Sequence, residues 1–221
     1  MSMQLTEHPG VYKKNDKLFT QNPSVCKGTR VYNEQLITED GIEYRSWNPF
    51  RSKLAAALLK GLPLHMAIDA QILYLGAATG TTVSHLSDII TKGTIYAIET
   101  SPFATIKLLT VCEKRPNIIP ILSNANHPER YKNIVPPVDF IYQDISQRNQ
   151  ADIFTRNMVM YLKANGNGLI MVKARSIDVA LRPKQAYELV CSSLKKRRFT
   201  IRKTIELAPF EKDHAAILLT R

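Results

Sequence analysis

Two sets of residues in this 221-residue chain carry side chains fit for chemistry. The first starts at Leu75-Gly76-Ala77-Ala78-Thr79-Gly80-Thr81-Thr82, where an apolar run breaks into a glycine-bearing turn. Gly76 and Gly80 allow a tight strand-to-helix turn and close approach of backbone to a ligand. Ala78 stands where the pattern GxGxxG places its middle glycine, so a pyrophosphate is poorly accommodated and a dinucleotide disfavoured. Glu99 follows at close to the roughly 20-residue spacing that brings an acidic residue to ribose hydroxyls, and its charge would repel a 2′-phosphate. Asn124-Ala125, and then Asp144 flanked by Gln143 and Gln147, end two further apolar runs. Together these ends describe a site for a nucleoside without phosphates, which directs attention to S-adenosylmethionine. A purely structural turn is the competing reading of the loop. A helix cap is the competing reading of Glu99, although Ser101 suits that task better.

The second set is Lys53, Asp144, Lys173 and His214. Asp144 and Lys173 close two apolar runs, Lys53 opens a helix, and His214 opens the last strand-like segment. Amines and a carboxylate gathered at one sheet edge can orient a weakly acidic hydroxyl and manage its proton. The plainer readings are a structural ion pair for Asp144 with Lys173, a solvated helix start for Lys53, and a strand cap for His214.

The elements that must position both sets follow from periodicity. Up to about Tyr44 the chain reads as short strands (Val11-Tyr12, Leu18-Phe19, Arg30-Tyr32, Gln35-Ile37) broken by turn residues. A helix is expected from Ser52 to Gly61. From Gln71 onward, buried-strand runs alternate with amphipathic helices, the pattern of a mainly parallel sheet covered on both faces. The last two strands, Thr200-Ile205 and Ala215-Leu219, have no helix between them and are expected to be antiparallel neighbours.

Composition narrows the class. Hydrophobic residues at 44% and charged residues at 22% describe a globular chain. Apolar runs such as Leu54-Leu59 fall far short of the roughly 20 residues a bilayer span needs, and no secretory signal is visible. The three cysteines are widely spaced and suit a reducing compartment. A formal net charge of +11 favours an anionic partner, nucleic acid first, with basic clusters around Lys13-Lys17 and Lys195-Lys203.

At this point the residues resemble a known family. Arg45-x-Trp47-Asn48-Pro49-Phe50-Arg51-Ser52-Lys53-Leu54-Ala55, Gly76-Ala77-Ala78-Thr79-Gly80-Thr81-Thr82-Val83-Ser84-His85 and Asp144-Ile145-x-Gln147 look like fibrillarin. So do Ile170-x-Val172-Lys173-Ala174 and Glu211-x-Asp213-His214-Ala215. With only 9 glycines and no Gly/Arg-rich tail, the chain is similar to the archaeal form, for which a cytoplasmic location is expected. The resemblance implies a Rossmann-like seven-stranded S-adenosylmethionine-dependent methyltransferase sheet (46–221) behind a small N-terminal β domain (1–45). It also implies methyl transfer to ribose 2′-hydroxyls of rRNA or tRNA at sites chosen by a guide RNA. The implied setting is a box C/D ribonucleoprotein with a Nop-domain scaffold and a kink-turn-binding protein of ribosomal type, and no membrane.

Residue by residue, the resemblance implies that the loop residues Gly76, Ala77, Thr79, Thr81 and Thr82 hold the cofactor. Glu99, Thr100, Asn124, Ala125, Asp144 and Gln147 would complete that site. Lys173 would be the central catalytic group, oriented by Asp144, crowded by the like charge of Lys53 and flanked by His214. Arg45, Arg51 and Arg175 are candidates for RNA phosphates. The family usually has an acidic residue before Ala125 and a basic one after it; here both are asparagine. Asn124 is expected to accept from an adenine amino group and to donate to a ring nitrogen. The competing functions are a non-catalytic subunit of the same particle and a guide-independent methyltransferase for proteins or small molecules.

Overall fold

Two-residue turns set the N-terminal sheet. Asn15 and Asp16, at φ +48° and +60°, join β2 (Val11–Lys14) to β3 (Lys17–Gln21), and Asp40-Gly41, at +52° and +79°, join β4 (Leu36–Glu39) to β5 (Ile42–Trp47). Paired positive φ values are what a tight hairpin between right-twisted strands requires. With β1 (Gln4–Leu5) they form an antiparallel sheet in the order β1-β2-β3-β5-β4. The computed structural model describes residues 2–221. Arg30-Tyr32 is a loop, not the expected strand. The Glu34 carboxylate takes the backbone N–H groups of Val31 and Tyr32, the donors that a ladder would need. β5 runs on to Trp47, which pairs with Leu18, so the small sheet extends past residue 45.

The larger sheet is built from β6 (Gln71–Leu75), β7 (Thr94–Glu99), β8 (Ile118–Leu122), β9 (Val138–Gln143), β10 (Leu162–Lys173), β11 (Thr200–Glu206) and β12 (His214–Thr220). Their order is β11-β12-β10-β9-β6-β7-β8. β6 pairs in parallel with both β7 and β9, and β12 is antiparallel to β10 and β11, as expected for the closing pair. The chain steps outward from β6 to β8 and then returns to the other side of β6 as β9. That reversal opens a crevice at the carboxyl ends of β6 and β9. One face packs on α1 (Lys53–Leu59), α2 (Thr81–Ile89) and α3 (Pro102–Cys112). The other packs on α4 (Gln150–Tyr161) and α6 (Pro183–Lys196), with a single turn, α5 (Ala174–Ile177), after β10. This is the expected seven-stranded sheet with a small N-terminal sheet beside it. Among the described residues no helix is long and apolar enough to cross a membrane.

The two sheets meet over α2, whose residues from Thr82 to Ile89 are all buried, polar ones included. Arg45 enters this junction with no exposed surface. Its Nε donates to Glu34 Oε1 (2.8 Å), its Nη1 to Asp88 Oδ2 (2.7 Å) and its Nη2 to Ser84 Oγ (3.0 Å). Arg115 caps the other oxygen of Asp88. The expectation that Arg45 meets RNA is therefore overturned: a guanidinium with two buried carboxylate partners has no path to a phosphate. Burial works against the charge on Glu34, but Arg45 and the two backbone N–H groups outweigh it and hold its carboxyl below the usual range. Trp47, buried, stacks on His85 at 4.9 Å and so packs the small sheet against α2.

His85 bonds Thr20 Oγ1 through Nδ1 (2.7 Å) and Tyr32 Oη through Nε2 (2.7 Å). Complete burial, with Arg45 and Arg115 nearby, keeps this imidazole neutral far below its ordinary range. The unfolded chain takes up a proton here near pH 6.5 while the folded one resists, so the stabilisation holds above that pH and fades as pH falls. Between pH 7.5 and 5.5, urea unfolding should lose about 1.4 kcal/mol more in the wild type than in His85→Gln. Equal losses in the two proteins would disprove the assignment.

Candidate active site

The crevice is shaped by close backbone approach. Gly76 has φ +87°, and a Cβ there would lie 2.4 Å from the carbonyl oxygen of Asp144. Leu75 pairs with Gln143, and the Asp144 N–H donates to Leu75 O (2.9 Å), so Gly76 and Asp144 sit level on neighbouring strands. Gly76→Ala should cost about 1–3 kcal/mol from the left-handed backbone alone. It should also displace Asp144 and abolish cofactor binding, measured by calorimetry beside thermal unfolding; retained affinity would refute this geometry.

Glu99, at the end of β7, is fixed by three backbone donors. Oε1 accepts from Thr100 and Ser101 (2.9 and 2.8 Å) and Oε2 from Ala78 (2.8 Å), leaving Oε2 a further acceptor position. Ser101, not Glu99, caps α3. The resulting cleft, about 260 Å³, pairs apolar walls (Ile98, Ala125, Ile145, Ile153) with polar ends at Glu99, Asn124, Asp144 and Gln147. Its size falls near the lower bound of small-molecule sites, roughly 300–1,000 Å³. A carboxylate for ribose, an apolar slot for a purine and no basic side chain among the lining residues fit a nucleoside without phosphates, and so the S-adenosyl group.

Of the expected cofactor residues, Gly76, Glu99, Thr100, Asn124, Ala125, Asp144 and Gln147 line this cleft. Ala77 is buried in the core, Thr81 opens α2 away from the lining, and Thr82 Oγ1 donates to Ser52 Oγ (3.0 Å). Thr79 faces a separate concavity. Ala78, Ser123 and Asn126 join the lining instead. Asn126 is a hub: its N–H and Nδ2 donate to Asn124 Oδ1 (2.9 and 3.2 Å), and Nδ2 also donates to Gln147 Oε1 (2.9 Å). Its own Oδ1 accepts from Asn149 and Arg156 (2.8 and 3.1 Å). Both acceptor positions of Asn124 are thereby taken. The expectation that it accepts from an adenine amino group gives way to a donor role through its Nδ2.

The second set converges on one face. Gln143 pairs with Ile170, so Asp144 and Lys173, one and three residues further on, project to the same side of the sheet. Lys173 pairs with His214 across the antiparallel ladder, which places those side chains next to each other there. α1 covers this face and begins at Lys53, whose Nζ donates to Asp144 Oδ2 (2.9 Å). The carboxylate thus holds Lys53, and the expected Asp144–Lys173 pairing is absent among the described residues. His214 Nδ1 lies 2.7 Å from Lys212 O, so the proton is assigned there and Nε2 is left as an acceptor.

Lys173 is anchored by its backbone, through a residue that spacing did not flag. The buried amide of Gln150 accepts from Lys173 N–H (3.2 Å) and donates to Lys173 O (3.3 Å) and Gln147 O (3.1 Å). Gln143 Nε2 in turn donates to Gln150 O (2.7 Å). Arg51 is exposed, and Arg175 pairs with Asp213 (3.0 Å) while remaining half-exposed. Burial pushes the Cys112 thiol up to about 11, so it is no nucleophile at neutral pH.

The fibrillarin family model matches residues 3–221. A fibrillarin-like rRNA/tRNA 2′-O-methyltransferase of Methanothermobacter thermautotrophicus is 46% identical over 213 residues, covering 96% of this chain and 94% of its own. The crystal structure of Aeropyrum pernix fibrillarin with natively bound S-adenosyl-L-methionine superposes with a TM-score of 0.88 at 42% identity, over 99% of this chain and 98% of that one. A fibrillarin solved in complex with Nop5p gives 0.87 at 44% identity over 99% of both chains. With the family model spanning residues 3–221 and a relative 46% identical over 96% of this chain, the chain belongs to the fibrillarin family.

Proposed function

We propose that the protein transfers the methyl group of S-adenosylmethionine to a ribose 2′-hydroxyl of rRNA or tRNA at guide-chosen sites. It would act as the catalytic subunit of a box C/D ribonucleoprotein, beside a Nop-domain scaffold and a kink-turn-binding protein. One observation carries this reading: Asp144 both lines the nucleoside cleft and holds Lys53, so cofactor site and amine share a residue. The likeness to a SAM-bound fibrillarin and to a fibrillarin–Nop5p complex supports it.

The cofactor, when bound, supplies an electrophilic methyl carbon. The protein's own residues align the ribose and manage its proton. Glu99 holds the nucleoside ribose at the end of β7. Lys53, steadied by Asp144, attracts the target oxygen or its phosphate. Lys173, its backbone clamped by Gln150, stabilises the developing alkoxide or accepts its proton, and His214 Nε2 offers a neighbouring acceptor. Arg51 and Arg175 contribute positive charge toward the RNA backbone; guide pairing carries the sequence information.

Reconstitution with scaffold, kink-turn protein and guide tests the reading. Labelled methyl should enter a matched target and not a 2′-deoxy control. Equal labelling of both would exclude the 2′-hydroxyl as acceptor.

A further inference from the structure

Ala78 lines the cofactor cleft, while Thr79, the next residue, lines a second concavity of about 550 Å³ between the loop 26–33, which joins two strands of the small sheet, and α3. Consecutive Cα atoms lie only about 3.8 Å apart, so the two depressions share one wall. Arg30 and Arg51 border it on the side of the small sheet, and Lys107 and Lys114 on the side of α3. All four are exposed. Arg51 lies over the Tyr32 ring at 5.8 Å and Lys107 over the Phe103 ring at 4.6 Å, contacts that orient a cation without neutralising it. Lys114 Nζ donates to Thr29 Oγ1 at 3.0 Å, again a neutral partner. Glu113 is the exposed carboxylate among the lining residues, and the buried Arg115 behind them is already matched by Asp88. Tyr32 makes the wall rigid, since its hydroxyl is tied to His85 and Ser46.

Four exposed cations against one exposed carboxylate, three of them held by neutral partners, recognise a polyanion. Its position, one residue from the cleft, says which part. A strand that presents a ribose to Lys53 and Asp144 must carry its neighbouring phosphates across the adjoining surface, and Arg51 stands two positions from Lys53. We propose that this groove binds the phosphate backbone of the target RNA strand immediately beside the methylated nucleotide. The proposal rests on the reading of the chain as an RNA ribose methyltransferase and adds to it a defined backbone subsite built from Arg30, Arg51, Lys107 and Lys114.

The test uses the reconstituted particle with an Arg30→Gln/Lys107→Gln double variant. KM for the target RNA should rise about tenfold or more, with the effect in KM rather than in S-adenosylmethionine affinity, measured separately by calorimetry. The slope of log affinity against log salt should shrink by about 1.4–1.8 for two lost phosphate contacts. Targets bearing a methylphosphonate next to the methylated nucleotide should raise KM in the wild type, with little further effect in the double variant. A wild-type KM and salt slope in the double variant would overturn the subsite while leaving the activity intact. Loss of scaffold co-elution with an unchanged KM at saturating scaffold would overturn it too, making the groove a protein interface. A wild-type particle that labels no matched target would instead overturn the underlying activity, and the subsite with it.

Discussion

Asp144→Asn is expected to lower the single-turnover rate of methyl transfer about 10²–10⁴-fold, the range over which positioned proton-handling groups act. The change is nearly isosteric, so Gly76 and the cleft keep their shape, but the charge that fixes Lys53 Nζ at 2.9 Å is gone. Both side chains are about one-fifth exposed, so solvent screens the pair and the loss of folding stability should stay below about 1 kcal/mol. A large kinetic effect with a small stability effect distinguishes a reacting arrangement from a structural ion pair. Lys53→Met should reproduce much of the loss, and the double variant should fall short of the product of the two, as coupled groups do. Measurement at saturating cofactor and target isolates the chemical step. A rate within threefold of the wild type would remove Asp144 from the mechanism.

Arg45→Met should destabilise the fold by about 3–5 kcal/mol, because it leaves Glu34 and part of the charge of Asp88 buried without a countercharge. Both carboxylates and the guanidinium have no exposed side-chain surface, so here no screening discount applies. For a chain of this length that corresponds to a fall in melting temperature of about 6–20 °C. Combining Arg45→Met with Glu34→Gln should recover part of the loss, since the uncompensated charge disappears. Urea unfolding at pH 7 reads both; a change under 1 kcal/mol in the single variant would contradict the burial of this network.

The contrast between these two sites shows what a linear chain discloses. Gly76, Glu99 and Asp144 could be found by position, because a ligand at the carboxyl edge of a parallel sheet constrains each strand end separately. Spacing along the sequence records such a constraint. The partner of Asp144 could not be found that way: Lys53 stands on a helix outside the alternating pattern and reaches the carboxylate through the packing of α1 on the sheet. Arg45 misleads for a related reason. An arginine near the active-face motif has the chemistry of an RNA contact, and only the convergence of Glu34, Asp88 and Ser84 on it reveals the opposite. The loop at Arg30-Tyr32 has strand composition, yet one carboxylate three residues further on withdraws its ladder donors. Asn124 has the right atoms for adenine recognition, but Asn126 occupies half of them.

The ionic knot under α2 also bears on how the enzyme must be used. Because that helix starts where the glycine turn ends, the contact of Arg45 with Asp88 ties the small sheet to the same helix that carries the cofactor loop, and Arg45→Met is expected to weaken S-adenosylmethionine binding as well as folding.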